Sequence, residues 1–209
     1  WDAFLNTVCE GTYLSNNLST IREEFLFSTK ERIMNYGIVL FSLWSKAIKR
    51  ELLVKSQMAV PDGISKGDDL AVILPLIYSC NSVSVIPDAL YYYRENDFSI
   101  MHSFNKDEFF KMEELWRYLL NIVPIEYQVN FKGFCLTMLN EYIGKLACSE
   151  KSYIKFKKEV RIIIQRTREY CLPINNSIFN LKTRFKINNI YRHNLIAYIC
   201  YRLVGKTNE

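Results

Sequence analysis

"ISKGDDLAVILPLIYSCNSVSVI", residues 64–86, holds the two features that decide the fold: an apolar stretch of helical spacing, then a short β-branched stretch. Leu70, Ile73, Leu74 and Ile77 fall on one helical face. The sequence therefore predicts a helix that begins near Asp68, ends near Cys80 and is stopped by Asn81. "SVSVI" reads as a short β-strand because of its β-branched residues. "ALYYYR" reads as another, with Pro87 and Asp88 as the turn between them. On such a strand Tyr91 and Tyr93 share one face and Tyr92 takes the other, with most of these rings expected in the core.

The carboxylates of Asp68 and Asp69 follow Gly67 and precede the apolar run. One reading is an ordinary helix cap, worth about 1 kcal/mol. The other is an acid–base centre mounted on a rigid helix start, where a carboxylate can take a proton from a hydroxyl.

Upstream, residues 21–56 are read as mostly helical, with "LWSKAIKRELL" (43–53) continuing the pattern. "AVPDGISKGDD" is a turn-rich connector with Pro61, Gly63 and Gly67. "ENDFSIMHSFN" (95–105) is a polar loop, and helices are expected over 107–122, 127–149, 152–170 and 188–204. The fold class is α/β and mostly helical. The predicted domains are a mixed part, 1–104, and an all-helical extension, 105–209.

The chain has 209 residues, 49% of them hydrophobic, enough for a sizeable core. It opens on Trp1, which suggests a fragment or a processed chain. No segment resembles a signal peptide, and the longest apolar candidate, "YGIVLFSLW" (36–44), is about half of a bilayer span. Cys9, Cys80, Cys135, Cys148, Cys171 and Cys200 are scattered without a CxxC pair, so buried free thiols in a reducing cytoplasm are expected, with no zinc site or compact disulfide framework.

The net charge of +5 conceals an asymmetry: residues 151–209 carry 13 Lys and Arg against 3 Asp and Glu, and residues 1–150 carry 14 against 19. "YIKFKKEVRIIIQRTREY" (153–170) and "NNIYRHNLIAYICYRLVGK" (188–206) mix the basic residues with large apolar ones. Ile187, Ile190, Tyr191, Leu195, Tyr198 and Ile199 fall near one stripe, with Arg192, Arg202 and Lys206 beside it. Such a helix suits an anionic bilayer surface. It suits equally a packed helical subdomain with a basic outer face. A nucleic-acid partner is not expected: no recognition motif is present, and the apolar residues between the basic ones are needed for packing.

Read in order, Trp-x-Lys at Trp44 and Lys46, Lys-Arg-Glu-Leu-Leu, Pro-Asp-Gly-Ile, Gly-Asp-Asp-Leu, the Tyr-Tyr-Tyr-Arg that ends at Arg94, and Ser99-Ile100 resemble the second half of the catalytic domain of bacterial family 2 glycosyltransferases. The resemblance covers about 60 residues directly. It implies the C-terminal half of a GT-A-like domain with a few short strands. It also implies an inverting transfer of sugar from a nucleotide-sugar donor to a saccharide or lipid-linked acceptor in surface polysaccharide synthesis. Asp69 takes the position of the family's catalytic base and Asp68 that of the preceding glutamate, one methylene shorter. Trp44 and Lys46 are implied as a wall and a polar contact near the acceptor, set against the plainer reading of a core Trp with a solvated Lys, and Ser99 as a further substrate-binding residue. Arg94 could hold the leaving diphosphate bidentately, although an ion pair with Glu95 or Asp97 is the plainer reading.

The complete enzyme is expected to use a divalent cation, Mn or Mg. His102 is a candidate ligand, set against the plainer reading of a solvated loop histidine; His193 is read as surface. The family's Asp-x-Asp motif does not occur in this sequence, nor does a glycine-rich phosphate loop. The expectation is therefore a chain without the donor-binding half, inactive alone, cytoplasmic, and peripheral on the inner membrane face if the basic helices bind lipid. The competing expectation is a non-enzymatic helical interaction module with a basic binding surface.

Overall fold

The computed structural model describes residues 10–15, 17–26, 41–86, 88, 90–92, 104–171, 184, 198 and 199. Strand β1 (Gly11–Leu14) leads to helix α1 (Leu18–Phe25). A 3-10 turn (Leu43–Ser45) precedes α2 (Arg50–Ala59) and α3 (Asp68–Ser79). Strand β2 (Ser82–Val85) follows α3 and pairs antiparallel with β1, Gly11 facing Val85 and Leu14 facing Ser82. Then come α4 (Glu108–Leu120), a 3-10 turn (Ile125–Tyr127), α5 (Gln128–Ser149), α6 (Tyr153–Arg166) and the short α7 (Arg168–Cys171). The described part is mostly helical, with one two-stranded sheet.

α3 starts at Asp68 and the alternating "SVSV" is a strand, as expected. Three readings are corrected. Residues 46–49 do not continue a helix: Lys46 is extended, and the helical run resumes only at Arg50. Leu90, Tyr91 and Tyr92 form no strand. Tyr91 and Tyr92 are also exposed instead of buried. The predicted helix 188–204, the polar loop 95–103 and Tyr93 lie outside the described residues apart from Tyr198 and Ile199, which are helical.

α3 is apolar nearly all round: Leu70, Ala71, Val72, Ile73, Leu74, Leu76 and Ile77 are all buried. Such a helix has to lie inside other elements. α1, α2 and α4 contact it, and one buried cluster runs from Ile21 and Phe25 through α3 to Trp116, Phe131, Phe134 and Phe156. Both sides of residue 104 thus contribute to one core. Arg166 closes the α4–α6 contact: its guanidinium grips the buried Glu113 through two oxygens and lies over the rings of Phe109 and Phe110.

Cys135 and Cys171 are fully buried thiols; burial holds both well toward the neutral form, Cys171 pushed up to about 12. Cys80 is only half-buried and Cys148 is exposed, which corrects the expectation of uniform burial, while Cys9 and Cys200 lie outside the described residues. Among the described residues no helix is long and apolar enough to cross a membrane.

Candidate functional site

Gly67 sets the corner from which Asp68 and Asp69 project. Its φ is +72°, in the left-handed region, and a Cβ there would stand 2.6 Å from Leu115 Cδ2. Only glycine meets both demands without strain. Gly67 itself is the N-cap residue, and neither aspartate caps α3 with its side chain. The doublet therefore lies just inside the helix and not at its N-cap position. Both carboxylates still sit in the first turn, where the helix dipole favours negative charge.

The two aspartates differ. Asp68 is exposed. Asp69 is half-buried, and its Oδ2 accepts a hydrogen bond from the Leu43 backbone N–H at 3.0 Å. That bond brings the Trp44–Lys46 stretch onto the start of α3 across 26 residues of chain. Among the described residues the second oxygen of Asp69 takes no hydrogen bond.

Lys46 leaves the 3-10 turn in an extended conformation and folds its chain back, Nζ donating to the Ser42 carbonyl and to Ser45 Oγ, each at 2.9 Å. Burial pushes its ammonium down to about 8, and the nearby Asp69 carboxylate pulls it partly back up. The Trp44 ring stacks on Tyr91, with centroids 4.7 Å apart and planes 28° apart. The result is a half-buried carboxylate held from one side, an ammonium beside it and an aromatic pair on the same segment. This arrangement can orient a hydroxyl-bearing molecule against an apolar ring face and accept its proton.

Trp44, Lys46 and Asp69 are therefore brought together, and Asp68 borders them on the solvent side. Arg94, Ser99 and His102 lie outside the described residues. Sequence reasoning missed two participants, the Leu43 N–H and the Tyr91 ring. A backbone donor leaves no mark in the sequence, and the aromatic pattern of 89–94 puts Tyr91 on a strand, away from Trp44.

The described residues do not fit a divalent cation. Among them no three His, Cys, Asp or Glu come together as a cation site, and the Lys46 ammonium lies within electrostatic range of Asp69.

Comparison of the chain with family models, with curated proteins and with solved structures gave no match.

Proposed function

We propose that this chain carries the acceptor side of a sugar-transfer site, with Asp69 as general base. The observation that carries the reading is the bond from Leu43 N–H to Asp69 Oδ2, which joins the Trp-x-Lys and Gly-Asp-Asp-Leu stretches in space. In the proposed step the acceptor hydroxyl oxygen attacks the anomeric carbon of a nucleotide sugar. The bond to the nucleoside diphosphate breaks and its electron pair leaves with the diphosphate. Asp69 takes the hydroxyl proton, the Leu43 N–H holding Oδ2 so that Oδ1 faces the acceptor. Lys46 sets a positive charge near the carboxylate, and Trp44 with Tyr91 offers a ring face to the apolar side of a sugar. Arg94 would bind the leaving diphosphate. The acceptor is a saccharide or a lipid-linked saccharide, and the reaction serves surface polysaccharide synthesis.

The test uses the full-length protein, a panel of nucleotide sugars, and release of nucleoside diphosphate as readout. Asn at position 69 can still accept from Leu43 but cannot take the proton. Asp69→Asn should lower turnover by at least about 10²-fold, the scale of losing a general base, and leave the melting temperature nearly unchanged. Asp68→Asn should cost less. Wild-type turnover in Asp69→Asn would reduce the corner to a structural pin.

One observation favours the second reading, an interaction module without catalysis: α6 turns a basic face outward. Under that reading no nucleotide sugar is consumed at all.

A further inference from the structure

α6 buries Phe156, Val160 and Ile163 in the core. The opposite face is left to solvent. Its centre line carries Ile154, Lys158, Ile162 and Gln165, all exposed, with Ile154 at 79% and Ile162 at 51%. Lys155, Lys157, Arg161 and, from α7, Arg168 flank that line. Two isoleucines two turns apart thus protrude from a field of five cations. Arg161 and Arg168 also line a shallow concavity with Ile164 and Gln165. Glu159, the acid of this helix, sits to one side and is paired with Lys106 at 2.7 Å. Arg166 is committed to Glu113. Among the described residues none of the five cations on the face enters an ion pair.

We propose that this face of α6 docks the protein on an anionic lipid bilayer. The cations would lie at the phosphate level, Arg161 and Arg168 taking a headgroup phosphodiester in their concavity, while Ile154 and Ile162 insert among the acyl chains. Charge alone would fit any polyanion. The isoleucines select the bilayer, because an exposed aliphatic side chain gains nothing from a phosphate backbone, and the centre line offers no aromatic ring on which a base could stack. The inference goes beyond the transferase reading and does not depend on it; binding is read without any sugar donor.

The experiment is co-sedimentation of the full chain with vesicles of phosphatidylcholine alone or with about a third phosphatidylglycerol. Binding should require the anionic lipid and weaken as salt rises. Lys157→Glu with Lys158→Glu and Arg161→Glu should lower it by at least about 10-fold. Lys55→Glu with Lys49→Glu and Lys145→Glu changes net charge equally at exposed positions elsewhere and should leave it within about 3-fold. Ile154→Ser with Ile162→Ser keeps the charge and should also weaken binding, which decides the matter if the charge-reversed protein fails to fold. The proposal is overturned if neutral and anionic vesicles bind alike, if the control variant loses as much as the α6 variant, or if the isoleucine variant binds like wild type. It is equally overturned if a single-stranded RNA displaces the protein from the vesicles at equal phosphate concentration.

Discussion

Gly67 and Lys46 are the residues whose removal is most informative, because each is held by two opposing demands. An alanine at 67 must adopt a left-handed backbone and push against Leu115, itself fully buried. Gly67→Ala should cost about 2 kcal/mol or more in urea unfolding. In a Leu115→Ala background the same change should cost only the backbone part, about 1 kcal/mol, since the two sites share one contact. An unchanged increment would show that Leu115 is not what glycine avoids. For Lys46 the argument runs through pH. Its folded pKa, about 8, lies below the ordinary 10.5. Between these values the unfolded chain binds more protons than the folded one, so stability rises with pH across that window. Relative to Lys46→Met, the wild type should gain melting temperature from about pH 8 to about pH 10.5. Adding Asp69→Asn removes the charge that raises the Lys46 pKa and should extend the window downward. Parallel melting curves for wild type and Lys46→Met would contradict the buried-ammonium account.

At the scale of elements, α3 is the part that could be read directly. A glycine, two acids and an apolar run define its start, and Asp68 is its first residue. β2 was legible from its β-branched residues, but its partner "GTYL" is too short and too mixed to announce itself, so the sheet was not. The 43–49 stretch failed for a physical reason. A helix would bury the Leu43 N–H in its own ladder or leave it at the end, whereas the fold sends it to Asp69, and periodicity carries no trace of a bond across 26 residues. The same blindness covers the far end of α3. Arg22 donates from Nε to the Ile77 carbonyl at 3.1 Å and from Nη2 to the Cys80 carbonyl at 2.8 Å. One side chain thereby satisfies carbonyls at the C-terminus and complements the dipole there. Arg22→Ala should destabilise by about 1–2 kcal/mol. Arg22→Lys should recover only part of that, because a lone ammonium lacks the fork that spans two carbonyls. Full recovery by lysine in urea titration would mean that charge alone matters.

Across the whole molecule, the question is whether the mixed part and the helices after residue 104 unfold together. The sequence divides them by composition and charge, yet the buried cluster does not respect that division: Leu70, Leu74 and Ile77 belong to the same core as Phe131, Phe156 and Tyr198. Tyr198 is the farthest described anchor. Its hydroxyl donates to the carbonyls of Glu150 at 3.0 Å and Lys151 at 2.8 Å, and its ring packs on Tyr153 and Phe156. Tyr198, which the sequence places on the apolar stripe of a basic helix suited to a bilayer surface or to packing, turns its ring inward and braces the α5–α6 junction. Tyr198→Phe keeps the ring and loses the two bonds, at about 1 kcal/mol. Tyr198→Ala also empties the ring's place, at about 3 kcal/mol or more. Because the core is continuous, that loss should be felt at the candidate site, far from the mutation in sequence. Far-UV circular dichroism, dominated by the helices, and the pKa-sensitive signal of a labelled Lys46 should lose their native values at one common temperature, lowered equally in Tyr198→Ala. Two separated transitions, only the later-chain one shifted, would show that residues 1–104 hold their fold independently and that the shared core contributes little to cooperativity.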